Sequence, residues 1–171
     1  MLILQGGQAL SSFRIQSLIS RANAAGIALE NLTCTYLFFI TGVVHDSAKL
    51  EQLLDASPLS VDSGLVALPR SGTTSPWSSK ATEIAKNCGF EIVKRIERGM
   101  HIVVEGQVSA ADQVLLNGLL ADPMMEDVLD RLPTEAFFTS GEPQPLGIVT
   151  LGVNPISALN EANQVHGLAL S

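Results

Sequence analysis

The sequence predicts an α+β fold: a duplicated ferredoxin-like (split βαβ) domain with antiparallel sheets. Three observations predict it. Short runs rich in β-branched and aromatic residues alternate with stretches of helical periodicity. The middle and later part of the chain reads strand, helix, strand, strand, helix, strand, which is the order of one antiparallel sheet with two helices on one face. The opening stretch, to about residue 60, offers strand, helix, strand, helix, close enough in order for a second, degenerate copy.

The elements follow from local chemistry. Leu2 to Leu4 is a short apolar run ending at Gly6-Gly7, which reads as an edge strand closed by a turn. Ser11 or Ser12 caps a helix in which Phe13, Ile15, Leu18, Ile19 and Ala22 recur at helical spacing, with Gly26 as its stop. Leu32 to Val44 reads as one long strand, bent at Gly42. Asp46 and Ser47 cap a helix with Leu50, Leu53 and Leu54 on its apolar face, ended by a Ser57-Pro58 turn. Leu65 to Leu68 is the next strand. A long run of turn chemistry from Pro69 to Trp77 leads into a helix from Ser78 or Ser79 to Cys88, terminated by Gly89.

Ile92 to Glu97 and His101 to Glu105 flank Arg98-Gly99, read as a hairpin turn. Ser109 caps a helix carrying Val114, Leu115, Leu119 and Leu120, broken at Asp122-Pro123; Glu126 to Thr139 holds a short helix, a strand or both. Composition then shifts. Gly141 to Gly147 reads as a linker, Ile148 to Val153 as a small apolar segment, and Asn154 or Ser157 as the start of a helix running towards Leu168. The expected division is a domain over 1–140, with halves of about 1–60 and 61–140, followed by a linker and helix over 141–171. The last helix stops without a partner, as at the cut end of a longer protein.

Composition excludes several classes of function. Of 171 residues 46% are hydrophobic, so a packed core is within reach. Ten Lys and Arg stand against 17 Asp and Glu, a net charge of −7, and the cations are scattered. Nucleic acid or an anionic membrane as partner would require a clustered positive surface. Two cysteines, Cys34 and Cys88, make no disulfide framework, and no apolar run is long enough to span a bilayer. With no signal-peptide pattern at Met1 to Gln5, a cytoplasmic location is expected.

No nucleotide-binding glycine fingerprint occurs. His45, His101 and His166 lie in three separate segments, so no metal site is expected. Cys88, in the last turn of a helix, is poorly placed to ionise, and Cys34 alternates with Thr33 and Thr35 as a core residue would. The informative stretch is Arg70 to Lys80. A hydroxyl-rich loop runs into a helix start, where free N–H groups beside Arg70 and Lys80 suit a phosphate or carboxylate. Arg70, Ser75, Trp77, Ser78, Ser79 and Lys80 are therefore the candidate docking or anion-binding residues, set against an ordinary capped helix with Trp77 pinned to the core or to a neighbouring domain. No catalytic nucleophile, base and oxyanion donor assemble.

Pro69 to Gly89 resembles the pattern PRxGTxSPWSSKATxIAxNCG of the N-terminal region of large-type phosphoribosylformylglycinamidine synthases. Gln8 to Ile15 looks like that family's opening ALSxFR, Ile96 to Gly99 like its LERG, and Asn163 to Leu170 like the start of its linker domain. Leu119 to Asp127 looks like the LLANPxIED stretch of PurS, the small subunit of the split form of the enzyme. The resemblance implies a PurS-like domain akin to a fused dimer of that subunit. It also implies a parent ligase of purine synthesis that converts formylglycinamide ribonucleotide, glutamine, ATP and water to the amidine, glutamate, ADP and phosphate. The parent's ATP and Mg²⁺ sites and its glutaminase cysteine belong to other domains, and none of their patterns occurs here. This stretch is thus expected to bind no cofactor, to catalyse nothing alone, and to brace the synthetase and glutaminase domains for ammonia transfer. The other reading is a ligand-binding regulatory module. Cut from its neighbours, the domain is expected to self-associate.

Overall fold

The computed structural model describes residues 1–60, 63–139, 145, 147–167 and 169. They divide into two compact units, Met1–Ser140 and Gly141–Ser171. Most of the expected linker, 141–144 and 146, lies outside the described residues, as do Leu168 and Leu170.

The first unit is built on two long strands. β2 (Ala28–Gly42) and β5 (Val93–Gln107) pair antiparallel along their whole length, from Ala28 opposite Gln107 to Gly42 opposite Val93. On β2 the even-numbered side chains Leu32, Cys34, Tyr36, Phe38 and Ile40 face the helices, while Leu37 and Phe39 face the other way. β1 (Leu2–Gln8) joins the free side of β2, and the two-residue β3 (Ser57–Pro58) closes that edge. β4 (Leu65–Pro69) joins β5, and β6 (Glu126–Leu129) closes the other edge. The result is one six-stranded antiparallel sheet in the order β3-β1-β2-β5-β4-β6.

That order is a duplication. Strand, helix, long strand, helix and short strand occur twice, with α1 (Ser12–Ala24) and α2 (Ser47–Leu54) in the first half. α3 (Pro76–Asn87) and α4 (Asp112–Leu120) belong to the second. Ser11 and Ser75 cap α1 and α3, each accepting a hydrogen bond from the N–H three residues on. Counted equally far from those caps, Tyr36 answers to Met100, and these two are register partners. A pseudo-two-fold axis therefore passes through the Tyr36–Met100 pair at the centre of the sheet. The halves share one sheet, joined along β2 and β5.

The helices pack across the halves. Leu18 and Ile19 of α1 and Leu116 and Leu120 of α4 share a core with Leu32, Cys34 and Ile102. Leu50 of α2 and Ala85 of α3 share another with Phe38, Ile40, Phe90 and Ile96. On the opposite face Leu37, Phe39, Val66 and Leu68 are covered by Phe138, from a 3₁₀ turn at Glu135–Phe138. The segment from Glu126 to Thr139 is thus both strand and helical turn.

Several expectations are corrected. Arg98-Gly99 is not a hairpin turn: β5 runs straight through it. A Cβ on Gly99 would sit 2.9 Å from the Ala67 carbonyl and 3.0 Å from the Phe39 ring, so this glycine permits close packing rather than a reversal. β1 continues past Gly6-Gly7 and is interior, and Ser57-Pro58 is the edge strand in its place. Phe13 lies outside the core, 82% exposed, and α4 buries Leu116 while Val114 and Leu115 face outwards. α3 begins at Pro76, earlier than expected, because Pro at the first helical position is preorganised and Ser75 supplies the cap.

In the second unit, α5 (Pro155–His166) is capped by Asn154, whose Oδ1 accepts from the Ser157 N–H at 3.3 Å. Among the described residues no helix is long and apolar enough to cross a membrane.

Candidate functional site

The site grows from Glu97, a carboxylate only 1% exposed in the first half of β5. A buried charge demands partners, and Glu97 has them on both oxygens. Oε1 accepts from Ser75 Oγ at 2.6 Å and from the Arg98 N–H at 3.0 Å. Oε2 accepts from the Ser75 N–H at 3.2 Å and from Arg95 Nη2 at 2.6 Å. Arg95 in turn donates to the Thr73 carbonyl at 2.6 Å and the Phe138 carbonyl at 3.1 Å, and lies over the Phe138 ring. One ion pair thereby holds the β4–α3 loop, the start of α3 and the 3₁₀ turn against the sheet.

On the helix-facing side the same strand presents Arg98. Its guanidinium carbon lies 4.7 Å from the ring centres of both Tyr36 and Trp77. Phe38 stacks on Trp77 at 5.8 Å and is followed by Tyr36 at 6.5 Å. Register explains the grouping: Phe38 pairs with Arg98 and Tyr36 with Met100, so all four share one face. Trp77 arrives from the first turn of α3, set by the Ser75 cap.

Tyr36, Trp77, Arg98 and Met100 line a cleft of about 410 Å³ on the pseudo-two-fold axis, walled also by Leu10, Arg14, Leu120 and Glu126. Glu126 accepts from the Asp122 N–H at 3.2 Å. Among the described residues, neither Arg14 nor Arg98 forms an ion pair.

The residues singled out in the sequence part company. Ser75 and Trp77 line the cleft. Ser78 and Ser79 line a different groove, with Thr74, Thr82, Lys86 and Lys94. The Ser78 hydroxyl is closed to solvent and has no hydrogen-bond partner among the described residues, while Ser79 Oγ donates to the Ser75 carbonyl at 3.4 Å. Lys80 is exposed and pairs with Glu83 at 3.1 Å. Arg70 is exposed, its carbonyl accepting from Thr73 Oγ1 at 2.6 Å. The helix start is not an open anion seat at Ser75, since the Glu97 carboxylate already occupies that N–H. Arg14, Tyr36 and Arg98 are the site residues that residue-by-residue reasoning missed. The signal was present: Arg14 stands in the ALSxFR-like stretch and Arg98 in the LERG-like one.

Chemistry of the reactive side chains is muted. Burial pushes the Cys34 thiol up from 9.0 to about 11, so it is protonated at neutral pH. Among the described residues no three His, Cys, Asp or Glu side chains gather as a metal site would require. His101 is buried on the sheet's other face, its Nε2 2.7 Å from the Ser63 carbonyl.

A family model described as formylglycinamide ribonucleotide amidotransferase N-terminal matches residues 37–138, more than half of the chain. The chain belongs to that family. Within this N-terminal amidotransferase family match fall the Glu97–Arg95 pair, Trp77 and Arg98; Tyr36 stands one residue before it, and Arg14 lies on α1 upstream. Three of the stretches that carry the family resemblance, those around Arg14, Trp77 and Arg98, converge on the one cleft although they are far apart along the chain.

Proposed function

We propose that this chain is the non-catalytic N-terminal brace of a phosphoribosylformylglycinamidine synthase, the ATP-, Mg²⁺- and glutamine-dependent ligase of purine synthesis. It docks the synthetase and glutaminase domains so that ammonia passes between them, in the cytoplasm. The family match over 37–138 carries this reading. Physical sense supports it. Ammonia released into bulk water is protonated and lost, so a stiff frame that fixes two reaction centres is useful without chemistry of its own. A single sheet shared by both halves, with four helices packed across the join, is such a frame.

The side of the brace that meets its neighbours is expected to be apolar. Phe13, Val114 and Met124 are 82%, 79% and 80% exposed, and the isolated chain is expected to self-associate through such surface. Light scattering that gives a monomer at high concentration contradicts this part of the proposal.

The decisive experiment uses the full-length parent enzyme carrying Trp77→Ala and Lys80→Ala. Glutamine-dependent synthesis should fall while synthesis from added ammonia persists, because only the transfer is loosened. Unchanged glutamine-dependent activity in a stably folded double variant overturns the docking role of this loop.

A further inference from the structure

We infer that the axial cleft is a seat for a compact oxyanion, a phosphate monoester or a carboxylate, gripped between Arg98 and Arg14. The inference does not rest on the bracing role and survives its failure. Its first support is a contrast between two arginines on one strand. Arg95 has a carboxylate and two carbonyls as partners. Arg98, half-buried, has two aromatic faces and no acceptor for its guanidinium protons among the described residues. Aromatic faces attract the cation but leave the planar fork of N–H donors unused, and a partly desolvated arginine is normally paired.

A second cation, Arg14, lines the same cleft from α1, also without an ion pair among the described residues. The one carboxylate on the wall, Glu126, is engaged by the Asp122 N–H. Two uncommitted guanidiniums in one concavity run against the grain of a chain with net charge −7. The volume of about 410 Å³ suits a small molecule rather than a helix or strand. Tyr36 and Trp77 hold Arg98 in place, so its donors are oriented before the ligand arrives. An oxyanion that accepts both forks completes the hydrogen bonding that the protein leaves open.

Trp77, the only tryptophan, is a built-in reporter because it stacks on Arg98. The 171-residue chain is titrated with inorganic phosphate and, separately, with acetate, each balanced by sodium chloride to constant ionic strength. A saturable change in Trp77 emission is expected, with half-saturation of about 1 mM for a fragment-sized ligand. Saturation by phosphate alone assigns the seat to phosphate monoesters, and saturation by acetate alone to carboxylates. Arg14→Gln should weaken either by about tenfold, the loss of one charge-assisted contact. Arg14 is exposed and holds nothing else in place, so this variant folds even if Arg98→Gln does not. Arg131→Gln, an exposed cation outside the cleft, should leave the titration unchanged. A response that is linear, that follows ionic strength alone, or that is identical in Arg14→Gln overturns the inference.

Discussion

Glu97 and Arg95 show how one buried ion pair organises a surface. Removing the carboxylate leaves a guanidinium buried and two Ser75 donors without an acceptor. Breaking such a pair costs more than forming it gains, about 3–5 kcal/mol. Glu97→Ala should therefore lose about that much in denaturant unfolding, whereas Arg98→Gln, which gives up only aromatic contacts, should lose about 1 kcal/mol. Equal losses would show that the pair is not the hub. Cys34 supplies a pH test. Its folded thiol is held up at about 11, above the 9.0 of the free thiol, so the folded state keeps a proton that the unfolded chain releases. This contribution is fully present below pH 9, declines as pH rises and is gone by about pH 11. Cys34→Ala should remove that alkaline slope, measured by thermal melts between those limits.

At the scale of elements, the two serine caps invite comparison. Ser11 on α1 makes an exposed capping bond of 3.4 Å, while Ser75 on α3 caps at 3.0 Å and also binds Glu97. Ser11→Ala should cost less than about 1 kcal/mol and Ser75→Ala clearly more, because the second also strips a buried carboxylate of a donor. Melting the two variants side by side checks the order. The caps of α1 and α2 were legible in the sequence because they depend on residues three apart, whereas a start at Ser78 or Ser79 overlooked the Ser75 cap of α3. The reading of Arg98-Gly99 as a turn failed for the opposite reason. Its glycine answers to Ala67 and Phe39, neighbours from other strands, and local chemistry contains no trace of them. The burial of Leu116 in place of Val114 has the same origin, since the shared core with α1 decides which side of α4 turns inwards. The cleft was half legible: Ser75 and Trp77 lie within one stretch, but Tyr36 and Arg98 join them only through sheet register and Arg14 only through the packing of α1 on the sheet.

For the whole molecule, the decisive feature is that neither half closes its own core. Cys34 and Leu32 of one half pack with Leu116 and Ile102 of the other, and Leu50 packs with Ala85 and Ile96. Chains covering 1–60 and 61–171 should each lack cooperative melting by circular dichroism, and mixing them should restore it. Independent folding of either piece would mean that the join is dispensable. The duplication was legible as a repeated element order. Its fusion into one sheet was not, since strand order across β2 and β5 is a long-range choice that no local pattern records.

Covalent linkage also releases the seam from equality. A symmetric pair of identical chains repeats every substitution on both flanks of its dyad, so a lone cation there always comes with a twin. In this chain, counting from the caps, the position matching Arg98 holds Cys34, sealed in the interior, and the one matching Trp77 holds Phe13, facing outwards. The centre of the molecule is consequently handed: a visitor meets a strand-borne arginine and the indole on one bank, a helix-borne arginine on the other, and must arrive in a single orientation.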